Sequence, residues 1–208
     1  MQRWRIAEAP AAADLDDIAA LLRRGGIVLL PTDTIYGLHA LATDEDFVAR
    51  LATTKGRDDA KPFVVIASSI EQLEEIGIDF PQELRQRLAS LWPAPLTAVL
   101  PLRHPVAASR GAASLAVRIP DRDWLRNLVA KTGPLASTSA NRSGEPSISA
   151  PELLESDVLE HIDGIVDAGS CVGDPSTIVD FTKTPPQLLR EGDAAFSQKM
   201  WKTLWKSL

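Results

Sequence analysis

Apolar positions recur along the chain with two different periods. Within Asp14–Arg24, Leu15, Ile18, Ala19 and Leu22 fall at helical spacing, with Asp14 as a candidate N-cap and Gly25-Gly26 as the stop. Ile27-Val28-Leu29-Leu30 then forms a wholly apolar run, which reads as a strand covered on both faces. The alternation continues with a helix over 44–54, a strand over 63–67 and helices over 70–76 and 82–91. Past the break Trp92-Pro93-Ala94-Pro95, strands are predicted over 96–102, 115–119, 135–138, 164–167, 177–181 and 187–190. Helices are predicted over 124–131 and 153–162. At the end, 196–208 put Phe196, Met200, Trp201, Leu204, Trp205 and Leu208 on one helical side, with Lys199, Lys202 and Lys206 elsewhere. This amphipathic helix reads as packing on the body or on a second subunit, since a short helix with no second lipid signal anchors weakly to a membrane. Intermixed strands and helices without a repeat or a linker predict one α/β domain over 1–208 around a largely buried sheet, and the pattern leaves strand order open.

Composition narrows the class. The 208 residues are 45% hydrophobic and 24% charged, which excludes wholesale disorder and collagen-like or coiled-coil repeats. Such a chain buries about 70% of its unfolded surface and needs no disulfide or metal to hold together. Its one cysteine, Cys171, fits a reducing, cytoplasmic setting. The start, Met1 to Arg5, carries no signal-peptide pattern, and no run approaches the ~18 apolar residues of a membrane span. A net charge of −6 argues against nucleic acid as a partner of the whole surface, although a cleft can still focus a local positive field.

Neither common nucleotide fingerprint is present, and His39, His104, His161 and Cys171 show no metal-ligand spacing. Cys171 has no neighbouring cation or His and reads as inert. Three polar clusters remain, each beside an apolar strand. In Pro31-Thr32-Asp33-Thr34-Ile35-Tyr36-Gly37-Leu38, an extended backbone puts Thr32, Thr34 and Tyr36 on one side at a strand's carboxyl end, where open α/β sheets bind ligands. The plain alternative is a β-branched strand end closed by a glycine turn. In Lys55-Gly56-Arg57, Gly56 ends a helix and lets two cations converge on a phosphate or carboxylate, while the same cations also suit a helix C-terminus. In Ser137-Thr138-Ser139-Ala140-Asn141-Arg142-Ser143-Gly144, Ser137, Ser139 and Asn141 line up as a row of short donors and acceptors. Arg118 lies inside an apolar run and needs a partner or a ligand; Arg190 ends another run, and Ser176-Thr177 adds hydroxyls. Together these predict one polar cavity lined by Lys55, Arg57, Arg118 and Arg190, with no acid/base dyad. Such a site suits nucleotide chemistry with Mg²⁺, which is largely positioning and charge stabilisation.

In order, these clusters with Trp92-Pro93-Ala94-Pro95-Leu96-Thr97, Val117-Arg118-Ile119-Pro120, Ser176-Thr177-Ile178-Val179-Asp180 and Leu189-Arg190-Glu191-Gly192 resemble the signatures of the YrdC-like family. The resemblance spans roughly 14–193 and is specific as an ordered set. It implies a twisted, open, mostly parallel α/β sheet with flanking helices around a deep basic cavity. The implied activity is threonylcarbamoyl-AMP synthesis: L-threonine, bicarbonate or CO₂, and ATP give threonylcarbamoyl-AMP and pyrophosphate. The product serves threonylcarbamoyladenosine modification of tRNA beside the anticodon, through downstream threonylcarbamoyl-transferase proteins. By the resemblance Lys55, Arg57, Ser139 and Asn141 are catalytic and hold ATP together with Ser114, Ser147 and Arg190. Thr32, Tyr36, Arg118, Ser137 and Ser176 hold threonine, and Mg²⁺ is held mainly through the nucleotide's phosphates. Weak binding of tRNA or double-stranded RNA is a further implied property.

The chain departs from the family pattern at four places. Asp58 stands where Pro is frequent after K-x-R, Lys61 where His is common, Ala94 for the usual Gly in Trp-Pro-Gly-Pro, and His39 where Gly usually follows Tyr-Gly-Leu. The short, single-domain form is expected. Two other readings stand beside the synthase: a YciO-type paralogue with another substrate, and a non-catalytic RNA-binding module. The intact K-x-R and S-x-N elements speak against the first. Net charge −6 with 5% aromatics speaks against the second.

Overall fold

The computed structural model describes residues 1–56, 60–141 and 146–204. In chain order the strands are β1 Gln2–Arg5, β2 Val28–Pro31, β3 Tyr36–Leu41, β4 Val64–Ile66, β5 Leu96–Pro101, β6 Ser114–Arg118, β7 Leu135–Ser139, β8 Gly164–Asp167, β9 Thr177–Asp180 and β10 Gln187–Arg190. The helices are α1 Ala12–Arg23, α2 Glu45–Thr54, α3 Ile70–Glu75, α4 Gln82–Ala89, α5 Asp123–Thr132, α6 Ser156–Leu159 and α7 Ala194–Leu204. All these strands join one sheet in the order β1-β8-β2-β3-β7-β4-β6-β5-β9-β10.

The single sheet with flanking helices agrees with the expected α/β class, and its direction is where the expectation fails. The sheet is not mostly parallel: β1/β8, β2/β8, β4/β6 and β5/β9 run parallel, whereas β2/β3, β3/β7, β4/β7, β5/β6 and β9/β10 run antiparallel. Wholly apolar runs report burial on both faces, and burial carries no information about direction. Short connections decide it instead: β2 turns into β3 through Thr32–Ile35 alone, too short for a parallel crossover. The polar cluster there is consequently a hairpin turn and not an extended strand end.

Two apolar layers close the sheet. Ile18 and Leu22 of α1 and Trp124, Leu125, Leu128 and Val129 of α5 pack on Val28, Leu30, Ile66 and Leu135. The other face takes Val48 and Leu51 of α2, Leu73 of α3, Leu88 of α4, and Met200 and Leu204 of α7. Thus α7 docks on the body, with Ser197 and Thr177 sharing a buried hydroxyl contact of 2.9 Å. Trp205, Lys206 and Leu208 lie outside the described residues. Asp44 caps α2 by accepting from the Phe47 N–H. Asp14 does not cap α1; it lies in the first turn behind Ala11. The helix expected over 153–162 reduces to a 3₁₀ turn, Pro151–Leu153, and the four residues of α6. Two strands carried no apolar signal. β1 is an edge strand with only Trp4 buried, and it is fastened by Arg3 to Asp167 at 2.7 Å. β3 is interrupted by Gly37 and His39.

Candidate active site

Strand register assembles the site. On one face of the sheet, Ser137 of β7 lies opposite His39 on one side and Val64 on the other, and Gly37 lies opposite Ser139. Further along, Arg118 lies opposite Ile66, and Ile178 lies opposite both Thr97 and Arg190. These residues other than His39, with Thr32, Thr34, Ile35, Tyr36, Pro62, Thr138 and Ser176, line a cavity of about 220 Å³. That is smaller than the roughly 300–1,000 Å³ of pockets for drug-sized ligands, and it suits a small polar molecule.

Arg118 dominates the cavity. Its side chain is 7% exposed, its Nη1 donates to Thr34 Oγ1 at 2.8 Å, and its Nη2 lies 2.6 Å from Asp33 Oδ1. Asp33 in turn accepts from the Asp121 N–H at 3.0 Å. The contact with Asp33 has ion-pair distance without hydrogen-bond alignment: among the described residues, Arg118 Nε and Nη2 lack a hydrogen-bond partner. Those two nitrogens form one edge of the guanidinium, the edge a carboxylate bridges with two parallel bonds. Both nitrogens are covered by protein and Asp33 occupies the Nη2 side, so the guanidinium is a buried, paired charge in the cavity wall.

Arg190 reaches the same cavity from the outermost strand. Its Nε donates to the Ser176 carbonyl at 3.0 Å and its Nη2 to Ser176 Oγ at 3.2 Å, while Ser176 Oγ also contacts Thr97 Oγ1 at 2.8 Å. Burial and then the like charge of Arg118 lower the Arg190 pKa. Two guanidiniums that repel one another here define a place for anionic groups.

Several expected ligands have other duties. Thr32 lines the cavity, but its Oγ1 donates to the Ile35 carbonyl and accepts from the Thr34 and Ile35 N–H groups, which closes the turn. Tyr36 lines the cavity with its hydroxyl already engaged: it donates to the Gly169 carbonyl at 2.9 Å and accepts from the Ala168 N–H at 3.0 Å, and burial raises its pKa. Ser137 Oγ sits 3.1 Å from His39 Nε2. Ser114 starts β6 four residues before Arg118, and with the half-buried Ser147 it is absent from the cavity lining.

Lys55 does not line the cavity that Arg118 and Arg190 share. Lys55 is the C-cap of α2, still in helical backbone, and Gly56 follows at φ +64°. Lys55 and Asn141 line a second depression of about 380 Å³ with Thr53, Asp157 and His161. The two depressions meet at the end of β7, where Lys55 Nζ donates to the Ser139 carbonyl at 2.7 Å. Arg57, Asp58 and Arg142-Ser143-Gly144 lie outside the described residues. Cys171, half-buried with its pKa raised by burial, stays beside the Thr32 and Thr34 carbonyls. Sequence reasoning missed Asp33 and Thr97. The need of a buried arginine for a counter-charge was the signal for Asp33, and Thr97 stood only as the last residue of the Trp92–Thr97 signature.

A family model named for Sua5, YciO and YrdC, and described as telomere recombination, matches residues 20–192. The chain belongs to the Sua5/YciO/YrdC family. Two curated relatives are named threonylcarbamoyl-AMP synthase. The one from Pyrococcus abyssi is 38% identical over 84% of this chain, and the one from Pseudomonas savastanoi pv. phaseolicola is 34% identical over 91%. The chain spans about half the length of the first (52%) and nearly all of the second (98%). Among Sua5 structures, that of P. abyssi Sua5 complexed with L-threonine superposes with a TM-score of 0.87 at 33% identity, covering 96% of this chain and 61% of that one. No helix among the described residues is long and apolar enough to cross a membrane.

Proposed function

We propose that this chain is a threonylcarbamoyl-AMP synthase, with L-threonine in the smaller cavity and the phosphates of ATP over the depression that holds Lys55 and Asn141. The observation that carries the reading is Arg118, a buried guanidinium in the wall of a hydroxyl-lined cavity of amino-acid size. Two synthases related to this chain, and a threonine-bound Sua5 of the same fold, support it.

In this reading Arg118 takes the threonine carboxylate in a bidentate pair, which leaves the amine free. The amine, having given up a proton to solvent or bicarbonate, bonds to CO₂ and becomes a carbamate. A carbamate oxygen then attacks the α-phosphorus of ATP, and the bond to the pyrophosphate oxygen breaks. Lys55 and Arg57 offset charge on the departing pyrophosphate, while Ser139, Asn141 and Arg190 hold the nucleotide in line. The donors around the cavity are guanidiniums and hydroxyls, and its nearest carboxylate is engaged by Arg118. This set fits a Mg²⁺ carried by ATP itself, where the ion neutralises phosphate charge. The adenylate would pass to proteins that transfer its threonylcarbamoyl group to tRNA in the cytoplasm, and weak tRNA binding belongs to the same proposal.

The test is an omission series with ATP, Mg²⁺, threonine and bicarbonate, following pyrophosphate. Release should require all four, and Arg118→Lys should weaken threonine binding at least about tenfold, because an ammonium cannot form the bidentate pair. Pyrophosphate release that ignores threonine would overturn the reading.

A further inference from the structure

The cavity face carries a histidine that the proposed reaction does not use. His39 is wholly buried in β3, in a cross-strand row that runs Val28, His39, Ser137, Val64. The last two of these line the threonine cavity. His39 Nε2 stands 3.1 Å from Ser137 Oγ. The ring owes its place to Gly37, where a Cβ would lie 3.0 Å from His39 Cε1. Gly37 also lines the cavity, so the imidazole lies directly beside the site.

We infer that His39 is a positioning residue, which fixes the Ser137 hydroxyl against the amino acid bound in the cavity. This rests on the threonine reading above. A serine hydroxyl has one donor and two acceptor sites on a rotor of low barrier, and a bond to Nε2 consumes one site and stops the rotor. Burial, with the charge of Arg118 adding to it, lowers the His39 pKa to about 4, so the imidazole is neutral under ordinary assay conditions and the bond does not depend on its charge. The hydroxyl's remaining sites are thereby held ready for the ligand, and the ordering cost is met in the fold before the ligand arrives.

The experiment is titration calorimetry with L-threonine on the full chain, comparing wild type, His39→Asn, His39→Gln, Ser137→Ala and the double variant His39→Asn/Ser137→Ala. A Gln amide nitrogen reaches close to the Nε2 position, whereas an Asn amide falls short of Ser137. Gln should keep affinity within about threefold, and Asn should lose about tenfold, the size of one hydrogen bond. In the double variant the His39 substitution should add nothing to the loss caused by Ser137→Ala. A role in packing alone predicts additive losses and no rescue by Gln. Equal affinity of the Asn variant and wild type, or additivity in the double variant, overturns the inference and leaves the threonine reading standing. A wild type that binds no threonine overturns both. Thermal melts of each variant separate misfolding from lost affinity, and should Asn unfold, the Gln variant tested in the Ser137→Ala background decides alone.

Discussion

Arg118 ends β6 with 7% of its side chain exposed, and Asp33 meets it from the β2–β3 turn with 9%. Removing one member of a buried pair leaves the other charge in a poor solvent, a change that costs about 3–5 kcal/mol. Asp33→Asn should therefore lower unfolding free energy by a similar amount in urea titrations, although it preserves the side chain's shape. His39 gives a separate acid signature. Its folded pKa of about 4 lies below the unfolded value of 6.5, so the unfolded chain takes up the proton first as pH falls. Stability should thus drop between pH 6.5 and 4 by up to about 3 kcal/mol from this residue, and level off below. His39→Gln should show a correspondingly shallower loss in denaturation curves at pH 7 and pH 4.5, with Arg118 the charged neighbour that adds to burial. Arg118 was legible in the sequence, because an arginine in an apolar run has to be answered by something. Asp33 and the His39–Ser137 contact were not, since they depend on which strands become neighbours.

At the level of elements, periodicity located the helices and apolar strands well and strand direction badly. Direction follows from connection length and register, and Thr32–Ile35 is a turn where alternation of side chains predicts a strand end. Polar β1 and the glycine-interrupted β3 lacked the apolar run that marks a strand. The C-terminal helix illustrates the opposite case. Its apolar side announced packing, but the consequence for the site came from a polar residue: Ser197 meets Thr177, whose Oγ1 also accepts from the Gly192 N–H at 3.1 Å. This junction holds β9 and the chain after Arg190 together. Gly192 is pressed against the Pro175 carbonyl and the Thr177 N–H, so a Cβ there would collide with backbone that leads into Ser176. Gly192→Ala should lower the melting temperature by several degrees and weaken threonine binding through displaced Ser176 and Arg190. Both are readable by calorimetry on one sample.

Across the whole molecule, a net charge of −6 surrounds a site built on arginines. Anion affinity is thus local, and a small substrate crosses few phosphate contacts. Threonine-dependent pyrophosphate release should change less than about tenfold between 50 and 200 mM salt, whereas a nucleic-acid binder with 6–10 phosphate contacts loses about 10³–10⁵ in affinity over that interval. Ionic-strength series of turnover and of tRNA binding measure the two side by side. The cavity itself was only partly legible. Short motifs named most of the segments that build it, but their convergence was overestimated: Arg118 and Arg190 share a space, and Lys55 stands next door across the end of β7.

The placement of Arg190 has one more consequence. β10 is the last strand of the sheet, bonded only to β9, and its side chains are exposed along its length. A ribbon secured along one margin peels away at lower free energy than one secured along both. The guanidinium that completes the anion site therefore rides on a margin of the sheet, and a ligand bridging Arg190 to the deeply seated Arg118 would act as a clasp, pinning that margin shut while reactants are inside and releasing it once the product departs.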